Sequence, residues 1–133
     1  SKAWDSFMRG KLKPVDFPKA AYEESAQVDY KDGVDIGVKG WADMLQSMVS
    51  SGYRPLMIRT LRRLRSAGFK LVALTNNYDT EPLPNPEEQA KADAEHQKFV
   101  ALFDHFIESR VVGLSKPDQR FYDYALKAAG CTA

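Results

Sequence analysis

The sequence predicts an α/β protein in which a short parallel sheet flanked by helices is joined to a small all-helical unit. Three observations predict it. Beyond Gly52 the chain alternates helix, tight glycine, apolar strand, loop, helix and strand, the grammar of a parallel α/β sheet. Before Gly52 the apolar residues fall only at helical spacing. A short polar segment follows each of the two expected strands, where open α/β sheets bind their ligands.

In the first unit, Trp4, Phe7 and Met8 share one helical face, and Gly10 is placed to end that helix. Val15, Phe17, Ala20, Ala21 and Val28 define a second helix, with Pro14 or Pro18 near its start. Asp29 to Gly40, rich in aspartate and glycine, reads as a loop. Trp41, Met44, Leu45, Met48 and Val49 then recur at amphipathic-helix spacing. Trp4 and Trp41 are expected to anchor the core of this unit.

In the second unit, Pro55 opens a helix with Leu56, Ile58, Leu61 and Leu64 as its apolar positions, ended by Gly68. Phe69 to Leu74 is the first expected strand. A proline-rich loop from Glu81 to Pro86 leads to a polar helix over Glu87 to Phe103. Phe106 to Val112 is the second expected strand, and Pro117 and Asp118 start a last helix through Phe121, Tyr122, Ala125 and Leu126, stopped by Gly130. The expected division is 1–52 and 53–133.

The 133 residues suit about one domain, and 44% hydrophobic with 28% charged residues is ordinary for a globular chain. A net charge of +1 gives no electrostatic footprint for nucleic acid or an anionic membrane. Arg59, Arg62, Arg63 and Arg65 share one helix without aromatic or glycine-rich company, so they read as a solvated face. No apolar run reaches membrane-spanning length and no signal peptide opens the chain. The lone Cys131 has no internal disulfide partner, so a reducing, cytoplasmic setting is expected. His96 and His105 lack cysteine or carboxylate at zinc-ligand spacing.

Chemistry concentrates in two segments. Thr75-Asn76-Asn77 leaves the first strand with a hydroxyl, two amides and backbone N–H groups available to an anion. Lys116, in Gly113-Leu114-Ser115-Lys116-Pro117-Asp118, brings an ammonium that would neutralise a phosphate or an attacking carboxylate. Taken singly, the asparagines suit an ordinary turn and the lysine a solvated surface. Their shared position beyond consecutive strands aims both at one crevice.

Phe69 to Asn77 (FKLVALTNN) and Phe106 to Tyr122 (FIESRVVGLSKPDQRFY) resemble the second and third signatures of haloacid-dehalogenase-superfamily hydrolases. They are most similar to the N-terminal phosphatase domain of soluble epoxide hydrolases and to acyl-CoA-dehydrogenase-linked relatives. Trp4 and Phe7 through Leu12 resemble the opening of that family's small helical cap. The resemblance implies a Rossmann-like parallel sheet, partial in this chain, with residues 1–52 as cap. It implies that Thr75 and Asn76, with a weaker part for Asn77, hold a phosphoryl group and that Lys116 stabilises the charge of nucleophile and phosphate.

The family's nucleophile and general acid–base come from an Asp-x-Asp-x-Thr/Val signature, and no aspartates stand at that spacing here. Asp29, Asp32 and Asp35 are three apart and follow no apolar strand, while Asp43, Glu87 and Glu88 lie on expected helices. An acidic pair that helps bind magnesium would follow a strand beyond the last helix, and this chain ends at Cys131-Thr132-Ala133. The expectation is therefore a cap and half a core of a magnesium-dependent phosphatase acting on small phosphorylated substrates through an aspartyl-phosphate. Taken alone this chain is expected to be catalytically silent. The rival expectation is a non-catalytic remnant that serves as a binding or interaction module. Without the nucleophile strand, Phe69 to Leu74 would carry an unpaired edge that another segment or chain must cover.

Overall fold

The computed structural model describes residues 1–27, 35–49 and 52–131. The helical unit comprises α1 (Lys2–Met8), α2 (Phe17–Ser25) and α3 (Gly37–Val49). Next come α4 (Pro55–Ser66), β1 (Val72–Thr75), α5 (Pro86–Val100), β2 (His105–Glu108), α6 (Ser109–Val112) and α7 (Gln119–Ala129). Val28, Asp29, Asp32, Thr132 and Ala133 lie outside the described residues.

α1 begins with two caps, one of them long-range. The Ser1 hydroxyl accepts from Trp4 N at 3.2 Å and donates to Glu24 Oε2 at 2.9 Å. The Glu24 carboxylate, on α2, accepts from Lys2 N at 2.7 Å and Ala3 N at 2.8 Å. Those backbone donors, Ala3 first and then Lys2, hold the Glu24 carboxyl below its ordinary range. α2 starts with Pro18 in its first turn, one of the two prolines expected there. α3 begins at Gly37, so Gly37 to Gly40, expected to belong to a loop, form its first turn. Asp35 Oδ1 accepts from Gly37 N at 2.9 Å there, and helical hydrogen bonding starts from Ile36. Phe7, Phe17, Ala21 and Leu45 form the core of the unit, with Trp4 and Trp41 against it.

β1 and β2 pair in parallel, with Val72 opposite His105 and Thr75 opposite Glu108. Side chains alternate across a strand. Ile107 therefore joins Val72 and Leu74 beneath Phe121 and Ala125 of α7. Phe106 points the other way, into Phe99 and Phe103 at the end of α5. Tyr53 stacks on Phe99 at a 4.2 Å ring separation, and its hydroxyl meets His96 Nδ1 at 2.7 Å. The result is a helix–sheet–helix sandwich.

Both strands are shorter than the sequence suggests. Phe69 to Leu71 precede the ladder. Leu71 N donates to Asp104 Oδ2 at 2.7 Å and Asp104 N donates to Leu71 O at 2.8 Å, which closes that end. At the other end, Phe106 to Val112 was expected to be one strand, but the chain turns at Ser109 into the single turn α6. Gly113 ends that turn in the left-handed region at φ 74°, a conformation that favours glycine. Among the described residues no strand pairs with the outer edge of β1. α4 buries none of its residues, leaving Leu56, Met57 and the nearby Phe69 exposed. Its Arg65 reaches Ala101 O at the C-terminus of α5 at 2.7 Å, favourable for a cation beside that end of a helix. Arg59, Arg62 and Arg63 line a shallow open depression with Ser66 and Ala67. No helix among the described residues is long and apolar enough to cross a membrane.

Candidate functional site

The loops beyond the carboxyl ends of β1 and β2 meet and are stitched together by side-chain-to-backbone bonds. Asn76 Nδ2 donates to Lys116 O at 3.0 Å, while Lys116 N donates to Asn76 Oδ1 at 2.8 Å. Lys116 Nζ donates to Leu74 O at 2.8 Å. The ammonium is thus drawn back over the end of β1, beside Thr75, and no carboxylate among the described residues lies within ion-pair distance of it. Two of its three donors remain for a ligand. The Thr75 hydroxyl makes no hydrogen bond to the described residues and stands at the same strand end, half-buried. The lysine–proline bond that follows is cis.

Asn77 is engaged differently. Its amide nitrogen donates to Glu108 Oε1, and its backbone N–H donates to Ser109 Oγ at 2.9 Å. Asn77 Oδ1 is buried without a partner among the described residues. Arg110 then ties both loops. Nη2 reaches the two Glu108 oxygens at 3.0 and 3.1 Å, and Nη1 reaches Asp79 Oδ1 at 2.8 Å. Burial works against the Arg110 charge, but the hydrogen bonds from Asp79 and Glu108 outweigh it and hold the guanidinium above its usual pKa.

The far side of the crevice is closed by α1. Phe7 stacks on Tyr78 at a ring separation of 4.4 Å. Ser115 Oγ donates to Asp5 Oδ1 at 3.4 Å, and Arg9 Nη1 lies 3.8 Å from Asp118 Oδ2. Asp118 caps α7 by accepting from Arg120 N at 3.1 Å. The Arg120 side chain, followed by that backbone bond, holds the Asp118 carboxyl down at about 2. Gly10, at φ 68°, comes so close to α6 that a Cβ there would sit 2.8 Å from Arg110 O.

The structure therefore brings Thr75, Asn76, Asn77 and Lys116 to one place. It leaves Thr75's hydroxyl and two of the Lys116 donors without partners among the described residues, and it occupies the Asn76 amide and the Asn77 amide nitrogen. Sequence reasoning missed Ser109, Arg110 and Glu108, whose ties across the crevice run to Met8, Asp79 and Asn77, far along the chain. The motif stretch Glu108-Ser109-Arg110 was their only signal.

Magnesium, which the fold family implies, does not fit the residues present. Divalent magnesium sites use carboxylates with water or phosphate, whereas the crevice offers an ammonium, a hydroxyl and amide donors. The carboxylates around it are engaged: Glu108 and Asp79 by Arg110, and Asp118 by Arg120 and Arg9. Among the described residues no three histidine, cysteine, aspartate or glutamate side chains group as a metal site.

A parallel α/β sheet flanked by helices, with polar loops meeting beyond its strand ends, is the arrangement of the open α/β class. Within that class the chain belongs to the haloacid dehalogenase-like hydrolases, whose family pattern matches residues 12–133. It is also similar to the sesquiterpene phosphatase astK of Aspergillus oryzae, with 28% identity over 136 positions. That alignment covers 100% of this chain and 60% of the relative's length.

Proposed function

We propose that this chain supplies the phosphate-holding half of a phosphatase site acting on small phosphorylated substrates. The observation that carries the proposal is the Lys116 ammonium, anchored to Leu74 O at the end of β1 and facing no carboxylate among the described residues. A cation held at a strand end attracts an anionic phosphoryl group, and a hydroxyl donates to it without adding repulsion. Asn76 serves by fixing the Lys116 peptide. Asn77 serves by fixing the turn.

Phosphoryl transfer also needs a nucleophile and a means of offsetting charge, and this chain holds no Asp-x-Asp pair. In this reading residues 1–52 act as a cap over a core of 53–133. A strand bearing the nucleophile, from the same gene product or another chain, pairs with the free edge of β1. It would bring both the nucleophile that forms the aspartyl-phosphate and the carboxylates that magnesium requires, none of which the described residues supply. The relative's phosphatase name supports the reaction class, and the lone Cys131 suits a reducing cytoplasmic setting.

The test is inorganic phosphate titrated into the labelled chain. Shifts of the Thr75 and Lys116 amide resonances, lost in Lys116→Ala, support the reading. Magnesium-dependent p-nitrophenyl phosphate turnover by this chain alone, abolished in Lys116→Ala, overturns the assignment of half a site. The bare apolar face of α4 favours a second reading, a non-catalytic interaction module. Absence of any phosphate response at Thr75 and Lys116 would select it.

A further inference from the structure

Ser109 is fully buried, and its hydroxyl stands between three parts of the chain. It lies 2.5 Å from Met8 O at the end of α1, accepts from Asn77 N at 2.9 Å, and has Asn77 O at 3.0 Å as a second acceptor within reach. A hydroxyl has one proton and two acceptor lone pairs. The shortest contact takes the proton to Met8, which leaves a lone pair for the Asn77 N–H. Because Asn76 and Asn77 share that peptide, fixing its N–H fixes the plane from which the Asn76 side chain reaches the Lys116 backbone.

We infer that Ser109 is a positioning residue that relays the docking of α1 to Lys116, through the Asn76–Asn77 peptide. Two further ties from α1 flank the same lysine, Asp5 to Ser115 before it and Arg9 to Asp118 after it. Gly10 lets the end of α1 approach α6 closely enough for the relay to close. The helical unit therefore sets the geometry of the grip as well as covering it. This inference rests on the phosphate-holding reading only for its functional consequence. The relay is a property of the hydrogen bonds.

The experiment reads amide hydrogen exchange and inorganic-phosphate affinity in the chain carrying Ser109→Ala, Ser109→Cys or Ser109→Thr. Ser109→Cys keeps most of the volume, which guards against a simple cavity effect. The Ala and Cys variants are expected to exchange the Asn77 and Lys116 amides about tenfold faster, the equivalent of one hydrogen bond, with Ala125 in α7 unchanged. The phosphate dissociation constant, read at Thr75 and Lys116, rises alongside, and Ser109→Thr restores both. Gly10→Ala, which displaces α1 with Ser109 intact, accelerates Lys116 in the same way. Faster exchange at Asn77 with Lys116 unaltered overturns the relay, as does uniform acceleration that includes Ala125. A wild-type chain that shows no phosphate response overturns the phosphate reading instead, and exchange still decides the relay.

Discussion

The two sides of the β1–β2 sheet region are held in very different ways. Toward α1 the crevice loops are fastened by Ser109 on Met8 O and by Tyr78 on Phe7, and Phe7 and Ser109 are fully buried there. Toward α4 the helix buries no residue, Leu56 and Phe69 are exposed, and the described part of the sheet stops at β1. Fully burying one large apolar side chain contributes about 1.5–3 kcal/mol, so the α1 side supplies most of what specifies this chain's shape. Among the described residues the chain is closely packed where the crevice loops meet α1 and open along α4 and the outer edge of β1.

Substitutions can test that contrast. Phe7→Ala should cost about 3–5 kcal/mol, because it empties a fully buried site stacked between Phe17 and Tyr78. Urea unfolding measures this, and a loss under about 1 kcal/mol would erase the distinction between the two sides. Gly10→Ala should cost about 1–3 kcal/mol, since alanine is strained at that φ and its Cβ meets Arg110 O.

Acid should act next, and on the fastened side. The Asp118 carboxyl titrates at about 2, below the roughly 3.9 of an unfolded chain. A lowered pKa means that the stabilisation is complete above about pH 4 and is lost as pH falls through about 2. Carboxyl NMR should place the Asp118 midpoint near 2, and a midpoint near 4 would show that the Arg120 and Arg9 contacts do not persist in solution. Smallest is Leu56→Ala on α4, expected to change stability by less than about 0.5 kcal/mol in the isolated chain. A larger loss that grows with protein concentration would show that the bare face is covered in solution by another copy.

Much of this arrangement was legible in the sequence, and the misses have physical causes. Helices α1, α2, α4 and α7 follow from apolar spacing with prolines and glycines at their ends, all local signals. The first turn of α3 was hidden because Gly37 and Gly40 read as breakers, although Asp35 accepts the Gly37 N–H at the helix start. From sequence α6 reads as strand, since Val111 and Val112 are β-branched, yet Ser109 is drawn toward Met8, which is 101 positions away. Thr75 and Lys116 stand out because each follows a strand that the sequence predicts, although Thr75 ends β1 and α6 separates Lys116 from β2. Ser109, Arg110 and Glu24 do not, because their partners come from elements distant in sequence.

A four-residue, two-stranded ladder is easily mis-set, since a slip of one residue sends every side chain to the opposite face. Here a side chain stands in for a peptide group at each end. The Asp104 carboxylate takes the Leu71 N–H at one end and the Ser109 hydroxyl takes the Asn77 N–H at the other, while the Asn76 amide both gives to and takes from the Lys116 backbone. Only a primary amide offers donor and acceptor side by side in one plane; a carboxylate would present a second acceptor to Lys116 O. The two clamps act as stops on a sliding bar. Leu74 faces the α7 core in this register alone, and the same alignment sets its carbonyl where it accepts from the Lys116 ammonium.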